Sequence, residues 1–175
     1  MSSLAFGRPA KTEHAPYYET YTSKVQGDDI LAALKGQMSA TLKTLAGISE
    51  EQSLFRYEQG KWSVKELLGH VIDTERIMAY RALRIARNDK TPIEGFDQDP
   101  YIENADFDSC SLKELAAEFA LVRESNIFMF RHLAEEAWSR SGTASGYEVT
   151  VRALAYIIAG HELHHIGILQ ERYLR

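Results

Sequence analysis

Four stretches of this chain repeat their apolar residues at three- and four-residue steps, the spacing of one face of an α-helix. The first spans residues 28–45, with Ile30, Leu31, Leu34, Met38, Leu42 and Leu45 on one side. Asp28 and Asp29 supply the negative charge favoured at a helix start. The second spans 64–88 and carries Val64, Leu67, Leu68, Val71, Met78 and Leu83. The third spans 112–139, with Leu115, Phe119, Val122, Ile127, Phe130 and Leu133. Ser63 with Glu66, and Ser111 with Glu114, have the spacing of a capping box at the starts of these two. The fourth spans 151–174, with Thr150 as cap and Leu154, Ile157, Ile158, Ile168 and Leu169 as its apolar positions. No segment alternates for long enough to predict a strand. Long amphipathic helices in a chain of 175 residues bury their apolar faces against one another, so the pattern predicts an all-α four-helix bundle. Residues 17–175 are expected to form it as one domain, and 1–16, with Gly7, Pro9 and Pro16, to be a tail or a strap on its surface.

The net charge of −5 argues against a nucleic-acid partner, since such binding draws its affinity from Lys and Arg set against phosphates. Arg76, Arg81, Arg84 and Arg87 lie close together and read as a solvated helix face. A single cysteine, Cys110, cannot form an internal disulfide, which fits a reducing cytoplasm. No secretory leader is evident, and no window approaches the roughly 18 apolar residues of a membrane span.

Residues 89–110 break the helical pattern with Pro92, Gly95, Pro100 and a concentration of acidic side chains. Segments this long between helices are uncommon and often functional. A plain crossover between two bundle ends is the other reading.

Among the histidines, His14 and His132 read as surface or packing residues. His161 and His165 stand four residues apart on the fourth helix, which stacks them on one face. Leu154 and Ile168 flank His161 at seven-residue steps, and Val151 and Ile158 precede His165 in the same way, so both continue the apolar stripe. Buried imidazoles need partners, and two at this spacing can share one metal ion at about 2.0–2.1 Å. Hydrogen-bonded core histidines are the alternative. Gly160 and Gly167 flank the pair, each at a cost of roughly 1 kcal/mol relative to alanine in a helix, so something is expected to approach the backbone there. His70, mid-helix in an apolar stretch, is the candidate third ligand, and His164, about 100° around the helix from His165, a reserve. Three protein ligands and an open position form the pattern of a catalytic metal. Asp73, one turn from His70, is a candidate base or support for the ligands, and Asp97 and Asp99 on the long segment could reach the mouth of the site.

Two motif matches fall short. His161-Glu162-Leu163-His164-His165 satisfies H-E-x-x-H, yet no His, Asp or Cys follows to complete a zinc-protease site. Glu162 and His165 satisfy the E-x-x-H of di-iron bundles, but the chain offers no second such pair.

The run from Gly60 through Trp62 and Ser63 to His70, then Asp73-Thr74-Glu75-Arg76 and Tyr80-Arg81-Ala82-Leu83-Arg84, resembles the DinB-like superfamily. Gly95-Phe96-Asp97-Gln98-Asp99-Pro100-Tyr101 and the closing run from Gly160 to Gly167 extend the likeness. The resemblance covers about residues 30–174. It implies a four-helix bundle, commonly dimeric, with a divalent metal, zinc or nickel, held by three histidines; by position these are His70, His161 and His165. It also implies a small-molecule substrate and, in some members, a transferase or isomerase reaction that uses a low-molecular-weight thiol; other members are read as hydrolases. A non-catalytic structural or stress-response binding bundle remains the alternative function.

Overall fold

A computed structural model describes residues 7–174. Its helices are α1 (Glu19–Thr22), α2 (Ile30–Leu45), α3 (Glu50–Ser53), α4 (Val64–Ala86), α5 (Gln98–Glu103), α6 (Leu112–Arg131) and α7 (Val151–Ile168). A two-stranded antiparallel sheet, β1 (Ser141–Ala144) and β2 (Tyr147–Thr150), precedes α7. The four long helices are the expected bundle. α4 packs on α6 and α7, and α2 packs on the same two, so α2 and α4 stand across the bundle from each other.

The helix starts follow their caps. Ser63 Oγ accepts from the Glu66 amide at 3.0 Å while Glu66 Oε2 accepts from the Ser63 amide at 2.7 Å. Ser111 and Glu114 repeat the exchange at the head of α6, and Asp29 and Thr150 cap α2 and α7. α7 is the most enclosed helix, because Ala153, Leu154, Ala155, Tyr156 and Ile157 are each at most 1% exposed. An apolar run with no polar face is stable only where neighbours cover it all round.

Three helix ends differ from the sequence reading. α4 stops at Ala86 because Asn88 takes a left-handed conformation, φ 62°. α6 stops at Arg131, short of 139; the chain then turns so that Trp138 stacks on Phe130 at 5.6 Å between ring centroids. α7 gives way at Ile168 to a wider π-type turn over Leu169–Tyr173. The hairpin was not expected. Its strands are four residues each, and it turns on Ser145 and Gly146 at φ 53° and 80°, the two positive angles of a type I′ turn.

Two close approaches bring further segments to the middle of the bundle. A Cβ at Gly69 would lie 2.5 Å from the Phe107 ring, so the residue before His70 is where the crossover seats itself on α4. A Cβ at Gly160 would lie 2.1 Å from the Tyr21 carbonyl oxygen, so α1 crosses α7 there, backbone against backbone. The segment before α1 is strapped down: Arg8 donates to the Thr22 and Val25 carbonyls, and Glu13 accepts from Arg152 and Thr150. A Cβ at Gly167 would meet no other part of the described structure within 4 Å, and nothing among the described residues explains the glycine.

Arg81 is not on a solvated face. It is 2% exposed and donates to the Glu94 carbonyl at 3.0 Å and to Ser145 Oγ at 2.9 Å, tying the crossover to the hairpin turn.

Candidate metal centre

α4 and α7 share the most extensive contact of any helix pair, and His70 from one meets His161 and His165 from the other. His161 Nε2 lies 3.0 Å from His70 Nε2 and 3.1 Å from His165 Nε2. One ligand atom from each residue falls within 4.8 Å of the others, and all three side chains are buried. Trp62 backs His70 at 4.8 Å between centroids, and the Tyr21 edge meets His161 at 5.2 Å.

Burial pushes the His161 imidazole well below the ordinary histidine range, with the neighbouring rings adding to it. Burial, then His164, brings His70 down to about 4, and burial, then His70 and His164, brings His165 to about 3. All three are therefore neutral near pH 7 and offer lone pairs. A neutral ring nitrogen carries either one hydrogen or one lone pair, so His161 Nε2 cannot satisfy both neighbours as a hydrogen-bonding partner. A cation accepted by three lone pairs satisfies all three. Metal–nitrogen bonds of about 2.0–2.1 Å put adjacent ligand nitrogens about 2.9 Å apart at right angles and about 3.3 Å apart at the tetrahedral angle. The two separations made by His161, 3.0 and 3.1 Å, fall between these limits, and three neutral imidazoles are donors of the kind that suits a divalent ion.

A cavity of about 390 Å³ opens onto His70 and His161. Tyr17 and Tyr18 from the turn before α1, Tyr21 from α1, Met78 from α4 and Phe96 with Asp97 from the crossover line it. Thr74, one turn beyond His70, also lines it; its Oγ1 is buried with no hydrogen-bond partner among the described residues. A second cavity, about 350 Å³, adjoins His165 between Trp62, Tyr173 and Asp99. Asp97 caps α5 through the Asp99 amide at 3.2 Å, so the short helix stands with its first residues between the two cavities. Asp73 is half-buried; burial raises its pKa, and its nearest cation is Arg76 at 3.6 Å, which also binds Glu118. His164 turns aside, its ring 5.5 Å from Tyr21, and is not one of the converging three.

Behind the histidines lies a layer that the sequence reading missed. Arg123 has no exposed side-chain surface. Its guanidinium makes two bonds of 2.8 Å to Glu75 and one of 2.6 Å to Glu162, and donates to the Leu34 carbonyl at 3.2 Å. Thr41 donates to the other Glu162 oxygen at 2.7 Å, and Asn126 to Glu75 at 3.1 Å. All four long helices meet in this cluster. Burial works against the Arg123 charge, but Glu75 and Glu162 outweigh it and hold the group above the usual arginine range. Burial pushes the Glu162 carboxyl up, with Arg123 and Thr41 pulling against it. Glu162 is thus spent on Arg123 and Thr41 and is not placed as the base of an H-E-x-x-H protease. A signal was present: Arg123 stands four residues from Phe119 and seven from Phe130, and Glu75 seven from Leu68 and from Ala82, all core positions.

Two helices of a four-helix bundle that bring three buried imidazoles together form a framework suited to a metal ion. The chain belongs to the DinB superfamily, whose family model matches residues 9–169. It is 26% identical over 130 residues to an Oceanobacillus iheyensis protein named "Putative metal-dependent hydrolase OB0413", covering 71% of this chain and 72% of that one. Among solved structures it is similar to YfiT from Bacillus subtilis, described as a probable metal-dependent hydrolase with an unusual four-helix bundle topology. The TM-score is 0.70 at 16% identity, over 93% of this chain and 89% of that one. It is also similar to the mycothiol-dependent maleylpyruvate isomerase, with a TM-score of 0.67 at 15% identity, over 83% of this chain and 61% of that one. These structural likenesses establish the shared fold.

Proposed function

We propose that this protein is a metal-dependent enzyme in which His70, His161 and His165 hold one divalent cation, zinc or nickel, and a small-molecule substrate enters the tyrosine-lined cavity. The convergence of three buried, neutral ring nitrogens beside that cavity carries the reading. A cation there supplies Lewis acidity and lowers the pKa of a water or thiol bound to it. The relatives named above favour two reaction types, hydrolysis and transfer or isomerisation dependent on a low-molecular-weight thiol.

The chain's own residues have separate tasks. Tyr17, Tyr18, Tyr21 and Phe96 shield the cavity from water and give an apolar group flat surfaces to rest on. The Thr74 hydroxyl, without a hydrogen-bond partner among the described residues, is available to bond a substrate oxygen one turn from His70. Asp97 and Asp99 face substrate from the two sides of α5, and Asp73 supports α4 beside His70. The lone cysteine fits a reducing cytoplasm. The homodimer implied by the family would cover the exposed Tyr80, Leu83 and Leu121 between α4 and α6.

Elemental analysis of protein purified without chelator tests the reading. About one equivalent of metal is expected in the wild type and a small fraction of that in His165→Ala, with hydrolysis or thiol transfer on a substrate panel lost in parallel. Metal-free wild-type protein that also binds none on titration overturns it and leaves a structural bundle.

A further inference from the structure

The charge cluster behind the histidines is unbalanced. It contains two carboxylates, Glu75 and Glu162, and one guanidinium, Arg123, with side-chain exposures of 2%, 1% and 0%. Thr41 and Asn126 complete the hydrogen bonds without adding charge. Holding four helices together does not call for such an arrangement. Apolar side chains of similar volume usually do so at least as well, because desolvating ions costs more than their pairing returns. An unmatched buried carboxylate is dearer still. Of the two carboxylates, Glu162 stands on α7 next to His161 and one turn before His165, where a dication would offset surplus negative charge.

We propose that Glu162 is a positioning residue of this metal centre. Its bonds to Thr41 and Arg123 lock the turn of α7 that carries His161 and His165 against α2, α4 and α6, and its charge favours a doubly charged ion over none. Arg123 extends the lock to Glu75, five residues along α4 from His70. The inference rests on the metal reading given above.

Glu162→Gln separates charge from shape, since the carboxamide oxygen can still accept from Arg123 and its amino group can donate to Thr41 Oγ1. Wild type, Glu162→Gln and Thr41→Val are titrated with zinc and cobalt against a chromophoric chelator, and the unfolding midpoint of each metal-free protein is measured in the same buffer. Glu162→Gln is expected to bind metal roughly 10- to 100-fold more weakly, the range seen when a residue supporting metal ligands is changed. Its metal-free midpoint is expected to equal or exceed that of the wild type, and its cobalt absorption bands to shift. Thr41→Val, which removes one of the two bonds, is expected to weaken binding severalfold. A merely structural residue gives the reverse pattern, a lower midpoint at unchanged affinity. Affinities within twofold of the wild type and an unaltered cobalt spectrum overturn the proposal, and if Glu162→Gln does not fold, Thr41→Val decides on the same criterion. A wild type that takes up neither metal overturns the metal centre itself, and this inference with it.

Discussion

Gly160 and Tyr21 touch through their backbones, and this contact places the Tyr21 ring edge-on against His161. In Gly160→Ala the new methyl would meet a carbonyl oxygen at 2.1 Å, which backbone cannot yield cheaply. Alanine returns about 1 kcal/mol of helix propensity, whereas overpacking costs typically 1–3 kcal/mol and occasionally more. The clash wins. A net loss of about 2 kcal/mol in urea unfolding is expected, with weaker metal uptake as α1 lifts from α7. An unchanged midpoint would refute the close approach.

The buried histidines make the metal-free protein sensitive to acid. Their pKa values are depressed in the folded state, about 4 for His70 and about 3 for His165, against about 6.5 in the unfolded chain. The unfolded state therefore binds more protons in between, so stability falls as pH drops through 6.5 toward 4. Each histidine contributes up to about 1.4 kcal/mol per pH unit in that window. Urea midpoints of chelated protein should decline steadily from neutral pH to pH 4.5, and variants with His70 or His165 replaced should decline less. A flat profile in the wild type would contradict the burial.

Arg123→Met would strand Glu75 and Glu162 without their common partner. Breaking a buried ion cluster in this way costs about 3–5 kcal/mol, so the variant should unfold at a much lower denaturant concentration, if it accumulates folded at all. Replacing the whole cluster at once, as Glu75→Gln, Arg123→Met and Glu162→Gln, leaves no orphaned charge and should recover most of that loss. Failure of the triple variant to recover would mean that Arg123 stabilises by more than its two carboxylates.

The helices and the histidine pair of α7 could be read from the sequence because both follow local rules, whereas His70 is a candidate from its apolar surroundings and the family resemblance. Capping boxes at Ser63 and Ser111 and a three- to four-residue apolar period specify where α4 and α6 begin, although α6 ends at Arg131, well before the expected 139. The four-residue step of His161 and His165 specifies a shared face. What escaped depends on contacts between residues far apart in the chain. Tyr17, Tyr18 and Tyr21 precede the first long helix and reach the cavity only because α1 folds back across Gly160. Glu75, Arg123 and Glu162 stand on three different helices, and only their places in the core register link them. Arg81 passed for solvated because its partners, a carbonyl and a serine hydroxyl, carry no charge that a pattern could match. The hairpin is too short to alternate visibly, and Ser145-Gly146 was its one local sign.

The crossover between α4 and α6 is moored at two places. Ile93 exchanges backbone hydrogen bonds with Thr143 and Ser145 of the hairpin, and Phe107 is lodged over Gly69. Between these anchorages, residues 94–106 span the mouth of the site and carry Phe96, Asp97 and Asp99. The exposed positions of this stretch, Asp97 and Asp99 among them, can therefore be exchanged with both anchorages kept, which makes it the part of the molecule where ligand preference can be rewritten without refolding the scaffold.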